Sequence, residues 1–166
     1  MIRAIILVLC SASVALAQQA PAKRCDTDLH RQFDFWIGTW DVHNANGDHV
    51  GENEIASSGP CYLLEQWRGD SGSLGASLNF VDPAGGKWTQ DWVDNSGGRI
   101  EIQGEWSEGA MRLSGEHTLP NGTTRPFRGT WTPLEDGRVR QHFEEIQDAE
   151  AGWATWFDGY YTKRKD

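Results

Sequence analysis

Six residues in three short segments have the types and spacing of a small-molecule site. Glu65 and Trp67 lie two positions apart, as do Ser77 and Asn79, and Gln90 and Trp92. That spacing puts both members of a pair on one face of a β-strand. Over residues 61–68, Leu63, Glu65 and Trp67 oppose Tyr62, Leu64, Gln66 and Arg68. On the next segment Ser77 and Asn79 oppose Leu78 and Phe80, and over residues 87–94 Trp88, Gln90, Trp92 and Asp94 oppose Lys87, Thr89, Asp91 and Val93. Facing inward together, the six would form an aromatic-lined pocket with a few hydrogen-bonding groups, the usual make-up of a small-molecule site. A buried Glu65 needs a partner, for which Arg68, Arg140 and a ligand group are the candidates, or else a raised pKa. The competing reading is that these polar groups satisfy one another inside a filled core.

Other chemistries find less support. The chain has no G-x-S-x-G, no dinucleotide-binding glycine motif and no P-loop. Glu144 and Glu145 are adjacent, so a strand sends them to opposite faces and they cannot act on one substrate atom. No histidine or cysteine spacing matches a zinc site, and no metal or cofactor is expected from the motifs. His30, His43, His49 and His117 fall in a short helix or near turns and read as surface residues. Of nine tryptophans, Trp36, Trp40, Trp106, Trp131, Trp153 and Trp156 are assigned to core and end packing, while Trp67, Trp88 and Trp92 stand between packing and ligand contact.

The elements that must position these groups are strands. Short alternating segments follow one another from residue 50 to residue 163, separated by Asn46-Gly47, Gly59-Pro60, Gly85-Gly86, Gly97-Gly98, Asn121-Gly122 and similar turns. Counting from Phe35, there are ten, spaced by about ten to fourteen residues. Ten strands joined by tight turns predict an antiparallel up-and-down meander, which removes its edges most simply by closing into a barrel with room inside for a ligand. A Greek-key sandwich is the competing arrangement.

Residues 1–17 read as a signal peptide: Arg3, then the apolar Ala4 to Leu9, then Ala15-Leu16-Ala17, with cleavage after Ala17. The apolar run falls short of the roughly 20 residues of a membrane-spanning helix. The expected product is periplasmic or secreted, with 18–25 a loose leader and 26–166 one domain. Loss of Arg3 moves the formal charge from −9 to −10, which argues against nucleic acid or an anionic membrane as partner. Cleavage also leaves Cys25 and Cys61 as the only two cysteines. In an oxidising compartment they pair, a bridge worth about 3 to 4 kcal/mol in the chain-entropy model; two buried free thiols are the alternative.

The chain turns on residues 33–42, FDFWIGTWDV, where a short helix over Asp28 to Phe33 is expected to run into a first strand from Phe35. This run, with Gly59-Pro60-Cys61-Tyr62-Leu63-Leu64-Glu65-Gln66-Trp67, the segments 77–82 and 87–94 and the terminal Phe157-Asp158-Gly159-Tyr160-Tyr161, resembles an exported bacterial family of unknown function. That family is similar to the calycins, which include lipocalins, fatty-acid-binding proteins and nitrobindins. The resemblance implies an all-β, lipocalin-like barrel without assigning an activity. Likeness to nitrobindins raises heme, for which His142 is the axial candidate, against an exposed or packing histidine as the alternative. Three functions follow: a barrel binding a small hydrophobic ligand, an enzyme using Glu65 as acid or base, and a packed structural or interaction domain of the cell envelope.

Overall fold

The computed structural model describes residues 25–164; the expected signal peptide and the leader up to Arg24 lie outside the described residues. One helical turn, α1 (Asp28–Arg31), and a 3-10 turn (Asp34–Trp36) precede ten strands. These are β1 (Gly38–Asn44), β2 (His49–Gly59), β3 (Tyr62–Gly69), β4 (Leu74–Val81), β5 (Trp88–Asp94), β6 (Arg99–Ser107), β7 (Ala110–Thr118), β8 (Thr124–Pro133), β9 (Val139–Ile146) and β10 (Trp153–Lys163). Each strand pairs antiparallel with its sequence neighbours, and β1 pairs with β10 from Trp40 opposite Lys163 to Asn44 opposite Gly159. The meander therefore closes into a barrel, and the sandwich alternative is excluded.

The start of the domain differs from expectation. Instead of two helical turns feeding a strand at Phe35, α1 is a single turn, Asp34–Trp36 is 3-10, and β1 begins at Gly38. The physical reason lies in packing. Phe33 and Trp36 are both fully buried and stack at 5.0 Å between ring centroids, and a 3-10 turn is the geometry that places residues three apart directly above one another. Extended backbone from Phe35 would send successive side chains to opposite faces. The stacked pair plugs one end of the barrel, with Phe33 edge-on to Trp88 and Trp131. Trp40 Nε1 donates to Trp36 O at 3.0 Å and Trp88 Nε1 to Leu29 O at 3.0 Å, tying the plug to the wall.

Cys25 and Cys61 form the disulfide. Cys61 sits in the turn between β2 and β3 rather than at the start of a strand. The bridge closes a separation of 36 residues and pins the segment before α1 to the plugged end. The β1–β2, β3–β4, β5–β6, β7–β8 and β9–β10 turns all lie at the opposite end.

Burial alternates along the strands. On β9 Val139, Gln141, Phe143 and Glu145 are buried, while Arg140, His142, Glu144 and Ile146 are partly exposed. Outer-face charges pair across strands: Arg128 grips Glu144 and Arg140 grips Asp158, each through two nitrogens at 2.7 to 2.9 Å. Backbone approaches closely at two glycines on β6 and β7. A Cβ on Gly104 would stand 2.0 Å from Arg112 O, and one on Gly115 would stand 2.2 Å from Glu101 O, so neither position has room for any side chain.

Candidate functional site

The barrel is not filled. Above the aromatic plug a cavity of about 610 Å³ opens toward the end that carries the β1–β2 and β3–β4 turns, within the 300–1,000 Å³ range of small-molecule pockets. Its floor holds Glu65, Gln90 and Tyr161, its walls include Trp67, Trp92 and Phe157, and Asn44, Ser73 and Asp94 stand at the rim.

Register explains why the sequence brings the polar groups together. Glu65 lies opposite Ser77 across β3 and β4, and Asn79 lies opposite Gln90 across β4 and β5. Gln90 Nε2 donates to Asn79 Oδ1 at 2.9 Å, Asn79 Nδ2 to Ser77 Oγ at 2.8 Å, and Ser77 Oγ to Glu65 Oε2 at 2.5 Å. From the other side Asn53 Nδ2 donates to Glu65 Oε1 at 2.7 Å and to Tyr161 Oη at 3.3 Å. A directional chain thus ends on the carboxyl. Glu65 is only 2 % exposed. Burial pushes its pKa up to about 7, against the opposing pull of the Ser77 and Asn53 hydrogen bonds. No arginine takes part: Arg68 is exposed and Arg140 is held by Asp158, so the cationic partners expected for Glu65 are replaced by neutral donors and a raised pKa. Burial and the nearby Glu65 charge likewise raise the Tyr161 phenol, which stays protonated.

All six residues expected at the site lie in one contiguous patch, in two layers. Glu65, Trp67, Gln90 and Trp92 line the cavity, whereas Ser77 and Asn79 are not on its surface and brace Glu65 and Gln90 from behind. Trp92 is held by a close approach: a Cβ on Gly75 would fall 2.0 Å from its Cζ2 atom. Gly75→Ala is expected to displace that ring, shifting the near-ultraviolet circular dichroism and costing about 1–3 kcal/mol in urea unfolding; an unchanged spectrum would show that the ring position is not set there.

Several site residues escaped sequence reasoning. Asn53, Gln141 and Tyr161 sit on inward faces of β2, β9 and β10, and the same two-residue alternation applied to those strands would have found them. Trp156 would not have been found that way. A register shift between Thr155 and Phe157 makes it the extra residue of a β-bulge, and it lines the cavity while 42 % exposed. Trp153 is exposed as well, beneath the Arg128 guanidinium at 4.2 Å; of the core or end packing expected for both, Trp156 keeps ring contacts with His117, Phe127 and Phe143, and neither is buried.

His117 overturns the surface reading. It is buried beside Trp156, its Nδ1 lies 2.6 Å from Glu145 Oε2, and Arg125 Nη1 donates to Glu145 Oε1 at 2.6 Å. The two partners satisfy both oxygens of a buried carboxylate behind the bulge. Asp94, at the rim, is held below the usual carboxylate range: partial burial works against its charge, but hydrogen bonds from Ser96 and Gly98 and the nearby His117 outweigh it. His142 lies on the outer face of β9, its Nε2 3.1 Å from Thr155 Oγ1, and does not line the cavity, so it is not positioned to ligate a heme inside the barrel. Glu144 and Glu145 do point to opposite faces, Glu144 outward to Arg128 and Glu145 inward. Among the described residues no group of three or more His, Cys, Asp or Glu side chains is arranged to hold a metal ion.

Protein-family models give no match to this chain, and neither do curated proteins at a significant level. Its chemistry is therefore read from the geometry of the barrel.

Proposed function

We propose that this chain is an exported binding protein that takes a small, largely apolar molecule into its barrel, with the polar end of that molecule resting on Glu65 and Gln90. The observation that carries the reading is the cavity of about 610 Å³, walled by aromatic rings and floored by a hydrogen-bonded carboxyl. A core packed for stability alone has few voids larger than a water molecule, and this void is far larger, which speaks against the fully packed envelope domain. Export rests on the amino-terminal signal pattern, and a disulfide suits an oxidising compartment. Among the described residues no helix is long and apolar enough to cross a membrane. The calycin resemblance is in keeping with the barrel and assigns no activity of its own.

The test is titration with N-phenylnaphthylamine, a neutral probe that brightens in apolar surroundings. One saturable site is expected, quenching tryptophan emission as it fills, and Leu74→Trp, which narrows the rim, should weaken it at least about tenfold. Absence of saturable binding would refute the reading.

One observation favours a second reading, an enzyme acting on a bound hydrophobic substrate. A carboxyl titrating at about 7 inside a cavity is suited to general acid or base catalysis. Loss of turnover in Glu65→Gln with binding retained would select the enzyme.

A further inference from the structure

We propose that the cavity is built for an organic cation, a protonated amine on an apolar body, with its ammonium seated against the Glu65 carboxylate. This rests on the binding function above and adds the charge of what is bound.

The argument starts from which ionisable groups surround the void. Among the described residues, its lining contains the acids Glu65, Asp94 and Asp158 and no lysine, arginine or histidine. Asp158 is already answered by the two hydrogen bonds from Arg140. Neither Glu65 nor Asp94 accepts a hydrogen bond from an arginine or lysine: the first receives neutral donors from Asn53, Ser77 and Gln90, the second Ser96 and backbone amides, with His117 nearby. A carboxylate has about four lone-pair sites, and only two of those on Glu65 are met at short range. Glu65 itself faces the cavity, so a ligand ammonium can supply the missing charge where no side chain does.

The walls suit the same ligand. Trp67, Trp92, Trp156, Phe143 and Phe157 line the space around the carboxyl, and aromatic faces attract an ammonium while packing against its apolar body. The net charge of −9 draws cations toward the mouth, where Asp94 stands ionised. A fatty carboxylate meets the opposite conditions: two like charges and no cation to hold it. A neutral alcohol can hydrogen-bond to Gln90 but leaves the Glu65 charge uncompensated.

Three ligands with the same body separate these cases: phenylbutylamine, phenylbutanol and phenylbutanoate, measured by calorimetry at low salt. About pH 8 is the right condition, since Glu65 titrates at about 7 and is ionised there. Tyr161 on β10 is the other titratable group facing Glu65; β2, β4 and β5 present Asn53, Ser77 and Gln90, which do not titrate, and Asp94 with His117 stands toward the rim.

The amine is expected to bind at least about tenfold tighter than the alcohol, and the carboxylate weaker than either. Glu65→Gln should cut the amine-to-alcohol ratio about tenfold, while Asp91→Asn, on the outer face of β5 beside Arg99, leaves it unchanged. Equal affinity for amine and alcohol, or tightest binding of the carboxylate, would overturn the cation assignment while leaving the binding function standing if the neutral naphthyl probe still binds. Failure of all three ligands and of that probe would overturn both. Should Glu65→Gln fail to fold, the wild-type order decides, with Asp94→Asn expected to lower the same ratio by a smaller factor.

Discussion

Glu65→Gln is expected to stabilise the barrel above neutral pH by roughly 3 kcal/mol and to change it little below about pH 4.5. The folded carboxyl titrates at about 7 because burial opposes its charge, against 4.5 for the exposed group. A group whose folded pKa is raised contributes stability that is fully present below the unfolded value. That stability is lost as pH rises from 4.5 to about 7, since the unfolded chain releases its proton first, and above 7 the penalty is constant. The amide carries no charge, so its unfolding free energy lacks this slope. Urea unfolding of both proteins between about pH 4 and 8 reads the effect directly; parallel curves would mean that the folded carboxyl is not perturbed. Ligand enters the same balance, because a cation on Glu65 favours the ionised form and should remove much of the penalty.

Trp131→Ala should have the largest effect on the fold, a loss of about 3–5 kcal/mol. Trp131 is fully buried and contacts both halves of the structure: Phe33 and Trp36 in the plug at 5.2 and 5.6 Å, and Phe143 in the cavity wall at 5.1 Å. Its Nε1 donates to Gln141 Oε1 at 3.0 Å, so truncation also strands a buried acceptor. The void left behind would lie between plug and cavity. The decisive contrast is Trp156→Ala. That ring is 42 % exposed and lines the cavity from a bulge, so its loss should cost about 1 kcal/mol or less in urea unfolding while weakening the naphthyl probe. Equal destabilisation by the two changes would mean that the bulged ring is part of the core rather than the site.

The parts of this site that could be read from the sequence are those governed by strand alternation. Glu65, Ser77, Asn79 and Gln90 sit on consecutive strands joined by short turns, so parity alone brought them to one face, and the register then set Glu65 against Ser77. Parity does not separate depth. Nothing in the spacing distinguishes Gln90, which lines the void, from its register partner Asn79, which does not. Closeness to a turn makes His117 look like a surface residue, although it shares its face with the buried Met111 and Leu113 on β7. Alternation cannot place Trp156, since the bulge that aims it at the cavity is an interruption of the alternation itself. The opening of the domain failed for a related reason: stacking Phe33 on Trp36 overrode the strand pattern that begins at Phe35.

The barrel divides into a plugged end and an open end. Disulfide, plug tryptophans and the Phe33 stack concentrate at one end, where the chain enters. The carboxyls of Asp94 and Asp158, aromatic edges and the bulge concentrate toward the other.

The most direct test of that division is to locate a bound molecule. Nuclear Overhauser contacts from N-phenylnaphthylamine to the protein should reach the rings of Trp92, Phe157 and Tyr161, which line the cavity. Contacts confined to exposed outer residues such as Tyr62, Leu78 and Val93, with none to the interior rings, would contradict a ligand-binding barrel.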